Sequence, residues 1–103
     1  MTYTSKVGNM AEDNCIFVGG KPFMNYVTGI VMQFTTKDAK EVIIKARGKF
    51  ISRAVDISEV TTKRFLEGQV KVDGIAIDSE EFKNQEGKDI RVSTVEITLK
   101  KIK

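Results

Sequence analysis

Four basic side chains lie within nine residues near the middle of the chain, and no acidic residue interrupts them: Lys45, Arg47, Lys49 and Arg53. Side chains of one charge at this density create a positive potential that attracts a polyanion. A guanidinium can hold a phosphate through two hydrogen bonds, whereas an ammonium acts as a point charge. This cluster, with Gly48 in its turn, predicts a surface that binds phosphates.

A second basic turn, Gly19-Gly20-Lys21-Pro22, precedes an apolar helical pattern. Backbone N–H groups at a helix N-terminus carry a partial positive charge and bind anions. The turn lacks the spacing and the Lys-Ser/Thr ending of a nucleotide-binding P-loop. A tight strand-to-helix connection is therefore the plainer interpretation, and a small-anion or nucleotide-binding regulatory domain stays an alternative.

The chain is poorly supplied with catalytic and metal-binding groups. It has no histidine, and its single cysteine can form neither an internal disulfide nor a thiolate zinc site. Cys15 lies in an apolar strand pattern, so we expect a small core residue rather than a nucleophile. The adjacent Glu80 and Glu81 lie in a polar stretch with no apolar pocket to separate their pKa values. We predict no enzymatic activity, no metal and no cofactor.

Length and composition describe one globular domain. The chain has 103 residues, 41% hydrophobic and 30% charged, which suits a single core. The net charge of +3 is concentrated early, because residues 1–55 carry eight basic and four acidic groups and the rest carry nine and ten. No apolar stretch could span a bilayer or form a signal peptide, which predicts no membrane partner and a cytoplasmic location. Aperiodic residues 1–14 predict a flexible tail before a single domain, 15–103.

Strand and helix patterns alternate in the first half. Residues 15–18 predict a buried strand, and Pro22 suits the first position of a helix whose apolar residues recur at spacings of three and four to Phe34. Residues 41–46 predict a second strand, and a second helical pattern runs from Phe50 to Phe65 and ends at Gly68. The two strands of such a unit run parallel, so both basic turns should emerge at one carboxyl edge of the sheet.

The second half predicts a long hairpin. Val70 and Val72 alternate, and Ile75 and Ile77 continue on the opposite parity after Gly74, which indicates a bulge. A similar change near Val92 predicts a bend in the partner strand. The polar stretch 79–89 has too few apolar residues to pack on the body, so the hairpin should project as an arm. The predicted fold is α+β: a βαβαββ two-layer sandwich with a mixed four-stranded sheet, two helices on one face and a projecting β-hairpin arm.

Four segments resemble the signature blocks of the Alba family, small DNA-binding chromatin proteins of archaea. They are GKPFMNYV (20–27), IIKARGKFISRAVD (43–56), KRF (63–65) and RVSTVEI (91–97), and the second is the most diagnostic. The similarity runs in order from about Ile16 to Lys101. The chain departs from the family at Gly20, where members commonly carry an acetylated lysine before Lys21.

The resemblance implies a dimer that coats and compacts double-stranded DNA without sequence preference, in the nucleoid, and that also binds RNA. Phe65 matches an aromatic position at which dimers meet along DNA, and a core phenylalanine is the other interpretation. The candidate nucleic-acid-binding residues, from the two basic turns and from the resemblance, are Lys21, Asn25, Lys45, Arg47, Gly48, Lys49, Arg53, Lys88 and Arg91.

Other functions stay open at the level of the sequence. An RNA-binding protein or ribonucleoprotein subunit of the same superfamily would use the same cations. Such proteins usually expose aromatic side chains that stack on bases, and the patterns place no phenylalanine, Phe17 included, clearly beside the basic turns. A purely structural dimer with an incidental basic surface is the remaining alternative.

Overall fold

The computed structural model describes residues 14–102. The predicted tail, residues 1–14, lies outside this range except for Asn14. The elements are β1 (Cys15–Phe17), α1 (Phe23–Thr35), β2 (Glu41–Arg47), α2 (Ile51–Val60), β3 (Val70–Lys83) and β4 (Asp89–Lys101). A 3-10 turn, Gly48–Phe50, precedes α2, and a π-helical turn, Thr61–Phe65, follows it. This is the predicted βαβαββ order.

The four strands form one mixed sheet in the order β1-β2-β4-β3. β1 pairs parallel with β2, and β4 pairs antiparallel with both β2 and β3. The two helices pack on one side, the helix face, and leave the other side as an open face. The parallel pair confirms that the turns after β1 and β2 lie at the same edge of the sheet, as a crossover connection requires.

The core lies between the helices and the two central strands. Val42 and Ile44 of β2 stand opposite Leu99 and Ile97 of β4, and all four are fully buried. The inward positions recur every second residue in both strands, which agrees with their apolar alternation. The helices complete the core with residues at helical spacing: Tyr26, Val27, Ile30 and Phe34 from α1, and Ala54 and Ile57 from α2.

Cys15 is not a core residue, and the expectation that it would be one is wrong. It pairs with Ile43, whose neighbours Val42 and Ile44 face the helices, so Cys15 lies on the open face and is half-buried. Ile16 takes the inward position of β1 and packs against the core. An apolar run of three residues cannot itself show which parity faces inward.

A bulge bends β3 as predicted. Val72 pairs with Leu99 and Gly74 with Thr98, so Asp73 stands outside the ladder. The bend predicted near Val92 is wrong as a bulge, because every residue of β4 has a partner on β3. The apolar residues of β4 change parity there because they move to the other face of the sheet, since the distal part of the hairpin extends beyond the helices.

The start of α1 and the course of the second helical segment both differ in detail from the prediction. Pro22 has an extended ψ of 141° and occupies the N-cap position, one residue before α1 begins. The second helical segment is not uniform, because the N–H of Leu66 donates to the carbonyl of Thr61 at 2.9 Å, five residues back. Gly68 follows with φ +77°, the left-handed conformation that ends helices.

The hairpin projects as an arm, and the molecule measures 48 Å along its longest axis against 26 and 22 Å. The tip of the arm is a turn that is held by side-chain hydrogen bonds. The Asn84 side-chain oxygen accepts hydrogen bonds from the backbone N–H groups of Glu86 and Lys88 at 2.9 and 3.0 Å. Gly87 takes φ +82° between them.

The edge opposite the two basic turns also carries charge. Lys101 donates a hydrogen bond to Asp38 and, together with the charge of Lys40, holds the pKa of the Asp38 carboxyl below its ordinary value. Lys37 and Lys40 lie here, before β2 begins.

Neither helix of the described range is long and apolar enough to cross a bilayer.

Candidate nucleic-acid interface

The two basic turns are joined directly. Arg53, in the first turn of α2, donates a hydrogen bond from Nη2 to the backbone carbonyl of Lys21 at 2.6 Å. Its guanidinium also lies over the ring of Tyr26, 6.0 Å from the ring centre. The structure therefore brings the β1–α1 loop and the turn before α2 together at one edge, here called the basic rim: Lys21, Lys45, Arg47, Lys49 and Arg53.

Arg53 braces this rim from within. It is half-buried, and its Nε is buried with no hydrogen-bond partner among residues 14–102. Its Nη2 is already engaged by the carbonyl of Lys21. The side chain thus holds the loop in place, and less of it faces outward than the sequence suggested.

The hydroxyl of Tyr26 organises the glycine turn. It accepts hydrogen bonds from the backbone N–H groups of Gly19 at 2.9 Å and Lys21 at 3.2 Å. A small anion bound to this turn would need the same donors. The geometry therefore disfavours the small-anion or nucleotide-binding alternative, because its key donors already have an internal acceptor.

Gly48 shapes the second turn. Its φ of +58° is left-handed, a conformation that costs other residues free energy, and it begins the 3-10 turn that leads into α2. The following Lys49 is exposed, with its ammonium 5.4 Å from the centre of the Phe50 ring. In the described part of the chain neither Lys21 nor Lys49 has an acidic partner within 4.0 Å.

Lys45 and Arg47 turn onto the open face of the sheet. The Lys45 ammonium lies 3.6 Å from a carboxylate oxygen of Glu96, its partner across β4. The Arg47 guanidinium reaches across β4 to Glu80 on β3, with 2.7 Å between Nη2 and Oε1. Lys45 and Arg47 are therefore matched by internal carboxylates, whereas Lys21 and Lys49 have no acidic partner in the described part of the chain.

Asn25 joins Lys21 beside a cleft between α1 and β1. The cleft has a volume of about 310 Å³ and is also lined by Cys15, Phe17 and Tyr26. Asn25 is exposed on the first turn of α1. The structure thus places this predicted residue beside Lys21, and its amide is a hydrogen-bond donor.

The arm does not carry a purely basic surface. Arg91 pairs with Glu81 at 3.0 Å, and Lys83 pairs with Asp89 at 2.8 Å. Glu81 and Asp89 therefore lie beside the cations of the arm. These pairs are largely exposed, so each contributes little and can exchange its partner. Lys88, at the tip, has no ion pair within the described range.

Two aromatic side chains are more exposed than the sequence indicated. Phe65 ends the π-helical turn with 49% of its surface exposed, which rules out a core phenylalanine. Phe17 ends β1 with 66% exposed and lies 5.6 Å from the Lys45 ammonium. The expectation that no aromatic residue lies beside the basic turns is therefore wrong. The sequence carries no signal for this exposure, because a strand of three apolar residues is too short to show which parity faces inward.

Comparison with known proteins agrees with this architecture. The Alba family model matches residues 14–79. The chain is 49% identical over 87 residues to the DNA/RNA-binding protein Alba of Methanococcus maripaludis, covering 84% of this chain and 97% of that one. It is 55% identical over 92 residues to its counterpart in Methanocella arvoryzae, covering 89% and 94%. The chain belongs to the Alba family.

The solved structure of Alba from Thermoplasma volcanium shares this Alba fold with a TM-score of 0.76 at 47% identity, covering 84% of this chain and 99% of that one. The fold similarity and the family match confirm the resemblance to the Alba family. Alba proteins are named for binding DNA and RNA and not for a reaction. This agrees with the prediction that the chain is not an enzyme.

Replacing Tyr26 by phenylalanine should loosen the glycine turn while leaving α1 in place. The backbone N–H groups of Gly19 and Lys21 would lose their acceptor, and the free energy of unfolding should fall by about 1–3 kcal/mol. Urea denaturation measures the loss, and amide hydrogen exchange at these two residues should accelerate. Unchanged protection at both amides would show that the hydroxyl does not hold the turn.

Proposed function

We propose that the chain binds nucleic acid through the basic rim, with double-stranded DNA as its principal partner, and that it also binds RNA. The contact between Arg53 and the carbonyl of Lys21 is the observation that carries this proposal, because it holds the two basic turns on one surface. Relatives that share about half of its residues are named DNA/RNA-binding protein Alba. The proposed location is the chromosome.

Recognition by this rim would be electrostatic and indifferent to sequence. Lys21 and Lys49 are exposed ammonium groups on short turns, suited to phosphates rather than to base edges. Each phosphate that they neutralise releases condensed counterions, so affinity should fall steeply as salt rises. The arm extends from the same sheet and offers Lys88 at its tip, with Arg91 further back.

The ion pair between Arg47 and Glu80 sets a condition on binding. A phosphate must replace the carboxylate before the guanidinium can hold it with two hydrogen bonds. The side chains of this pair are about half exposed, so water and salt already screen their attraction. A DNA backbone, with its closely spaced charges, can compete where a single free anion cannot.

We further propose that the chain acts as a dimer through the uncovered helix face of β3. Ile75 and Ile77 stand opposite the inward Ile97 and Val95, yet they are 63% and 82% exposed because neither helix reaches them. Exposed apolar residues on an edge strand are an aggregation hazard unless a partner covers them. A second copy related by a two-fold axis would bury this strip and unite two basic rims, which multiplies affinity for one polymer.

Phe65 is the proposed contact between neighbouring dimers on DNA. It is exposed at the end of the π-helical turn, next to the buried Leu66 that anchors the turn. An exposed aromatic ring on a well-anchored turn is suited to a small apolar contact. Such contacts would align dimers along the duplex and compact it.

Substituting Lys21 and Lys49 together by alanine should weaken duplex binding by a similar factor for unrelated sequences. The slope of log affinity against log salt should become shallower by about 0.9 for each lysine that contacts a phosphate. Fluorescence anisotropy with two unrelated duplexes over a salt series measures both quantities.

The matched control is the double substitution of Lys37 and Lys40 by alanine, which removes the same charge at the opposite edge of the sheet. It should leave the salt slope near that of the parent. Equal losses in both double variants would point to net charge alone and contradict the basic rim.

Replacing Ile77 by glutamate should give a monomer, because a charge would be buried at the proposed dimer contact. Ala76→Glu, one residue earlier and on the open face, should remain a dimer. Sedimentation velocity at micromolar concentration compares the two. A monomeric parent, or a dimeric Ile77→Glu variant, would exclude this strip as the interface.

Replacing Glu80 by glutamine should tighten duplex binding about two- to fivefold at low salt, because Arg47 would no longer lose a carboxylate on binding. The control Glu67→Gln makes the same change of charge in the turn after the π-helical turn. If both variants tighten binding equally, the effect belongs to net charge and not to the ion pair.

A further inference from the structure

Phe17 is an aromatic ring placed at a corner of the sheet. It ends the edge strand β1, with two thirds of its surface exposed. On one side it lines a hollow of about 540 Å³ on the open face, together with Lys45 and Arg47. On its other side it lines the cleft that holds Lys21 and Asn25. Nothing in the packing of the core requires a ring at this corner.

The hollow on the open face has the lining of a base pocket rather than of a phosphate pocket. Three carboxylates border it, those of Asp78, Glu80 and Glu96, against two cations. Glu80 pairs with Arg47 and Glu96 with Lys45, so of these three the Asp78 carboxylate is the one without an ion pair among the described residues. A phosphate inside would meet more negative than positive charge. Carboxylates instead accept hydrogen bonds from exocyclic amino groups of bases, as they do from N4 of cytosine.

We propose that Phe17 stacks on an unpaired nucleobase that carries an exocyclic amino group, with the edge of the base turned into the hollow. The adjoining phosphate would lie at the cleft on the other side of the ring, within reach of Lys21 and Asn25. The inference rests on the proposed nucleic-acid binding and adds to it a second mode of binding, for single strands.

A duplex cannot use this site, because stacking between base pairs leaves no face free for the ring. Single strands and looped RNA expose base faces, and aromatic side chains bind them with little regard to sequence. The Lys45 ammonium near the ring adds a positive charge beside the stacked base. Both RNA and single-stranded DNA carry the required base, so both are probes.

Phe17→Trp provides a direct reading, because the chain contains no tryptophan. The indole should be quenched when a cytidine 12-mer binds, whether RNA or DNA, and should stay unquenched when a duplex binds at the same occupancy. Met32→Trp, exposed on α1, is the control and should respond to neither. Quenching by RNA alone would assign the partner as RNA through the 2′-hydroxyl.

Affinity measurements separate stacking from simple apolar contact. Phe17→Ile should bind the cytidine 12-mer about tenfold more weakly and the duplex unchanged, because isoleucine keeps an apolar side chain in a strand but has no aromatic face. Phe17→Tyr should restore the affinity. Uridine 12-mers, which lack the amino group, should bind the parent more weakly than cytidine 12-mers.

The outcomes distinguish this inference from the proposed function. If the indole stays unquenched while cytidine strands bind, or if Phe17→Ile binds them as tightly as the parent, the stacking site is wrong and the duplex surface stands. If duplex binding proves independent of Lys21 and Lys49 while the indole is quenched, the proposed duplex function is wrong and the stacking site stands. Equal affinity for uridine and cytidine strands would overturn the assigned role of the carboxylates.

Discussion

The parallel pairing of β1 with β2 is the constraint on which the candidate interface depends. The short β1 is held to its neighbour along three residues, and the N–H of Val18 donates to the carbonyl of Lys45 at 2.9 Å just beyond them. Parallel strands send both following turns to one edge of the sheet. An antiparallel β1 would place Lys21 at the opposite end, near Lys37, and no shared surface would exist. The hydrogen bond from Arg53 to the carbonyl of Lys21 then fixes the distance between the turns.

Charge balance, more than the number of cations, decides what this surface can bind. Lys45, Arg47 and Arg91 each face a carboxylate of the same sheet, so the protein carries its own competitors for phosphate. Exposed pairs of this kind contribute little and exchange readily. A polyanion can therefore displace these carboxylates at little cost in free energy. In the free protein the same carboxylates reduce the positive charge of the surface. Such internal pairing favours long, densely charged partners over small anions, as does the engagement of the turn by Tyr26.

Much of the fold could be predicted because the spacing of apolar residues and the positions of turn residues indicate the same elements along the chain. The apolar spacing of α1, the alternation in β2, the bulge at Gly74 and the arm all follow from local patterns. What could not be predicted depends on partners far apart in sequence. Glu80 lies 33 positions from Arg47, and only the register of β3 on β4 brings it across the sheet. The hydrogen bond from Arg53 to the carbonyl of Lys21 likewise joins residues that are far apart in the sequence.

Phe17 shows most clearly what the sequence could not predict, because its apolar neighbours give no indication that its side chain is exposed. In a strand of three residues a shift of one position exchanges the buried and exposed faces, and no period is long enough to settle the choice. Once β1 is placed beside β2, Ile16 must face the helices and Phe17 must share its face with Lys45. A duplex on the rim and a strand whose base stacks on Phe17 would then both place a phosphate at Lys21. The two modes of binding would exclude each other on one protomer, whereas the proposed dimer would offer one protomer to a duplex and the other to a single strand.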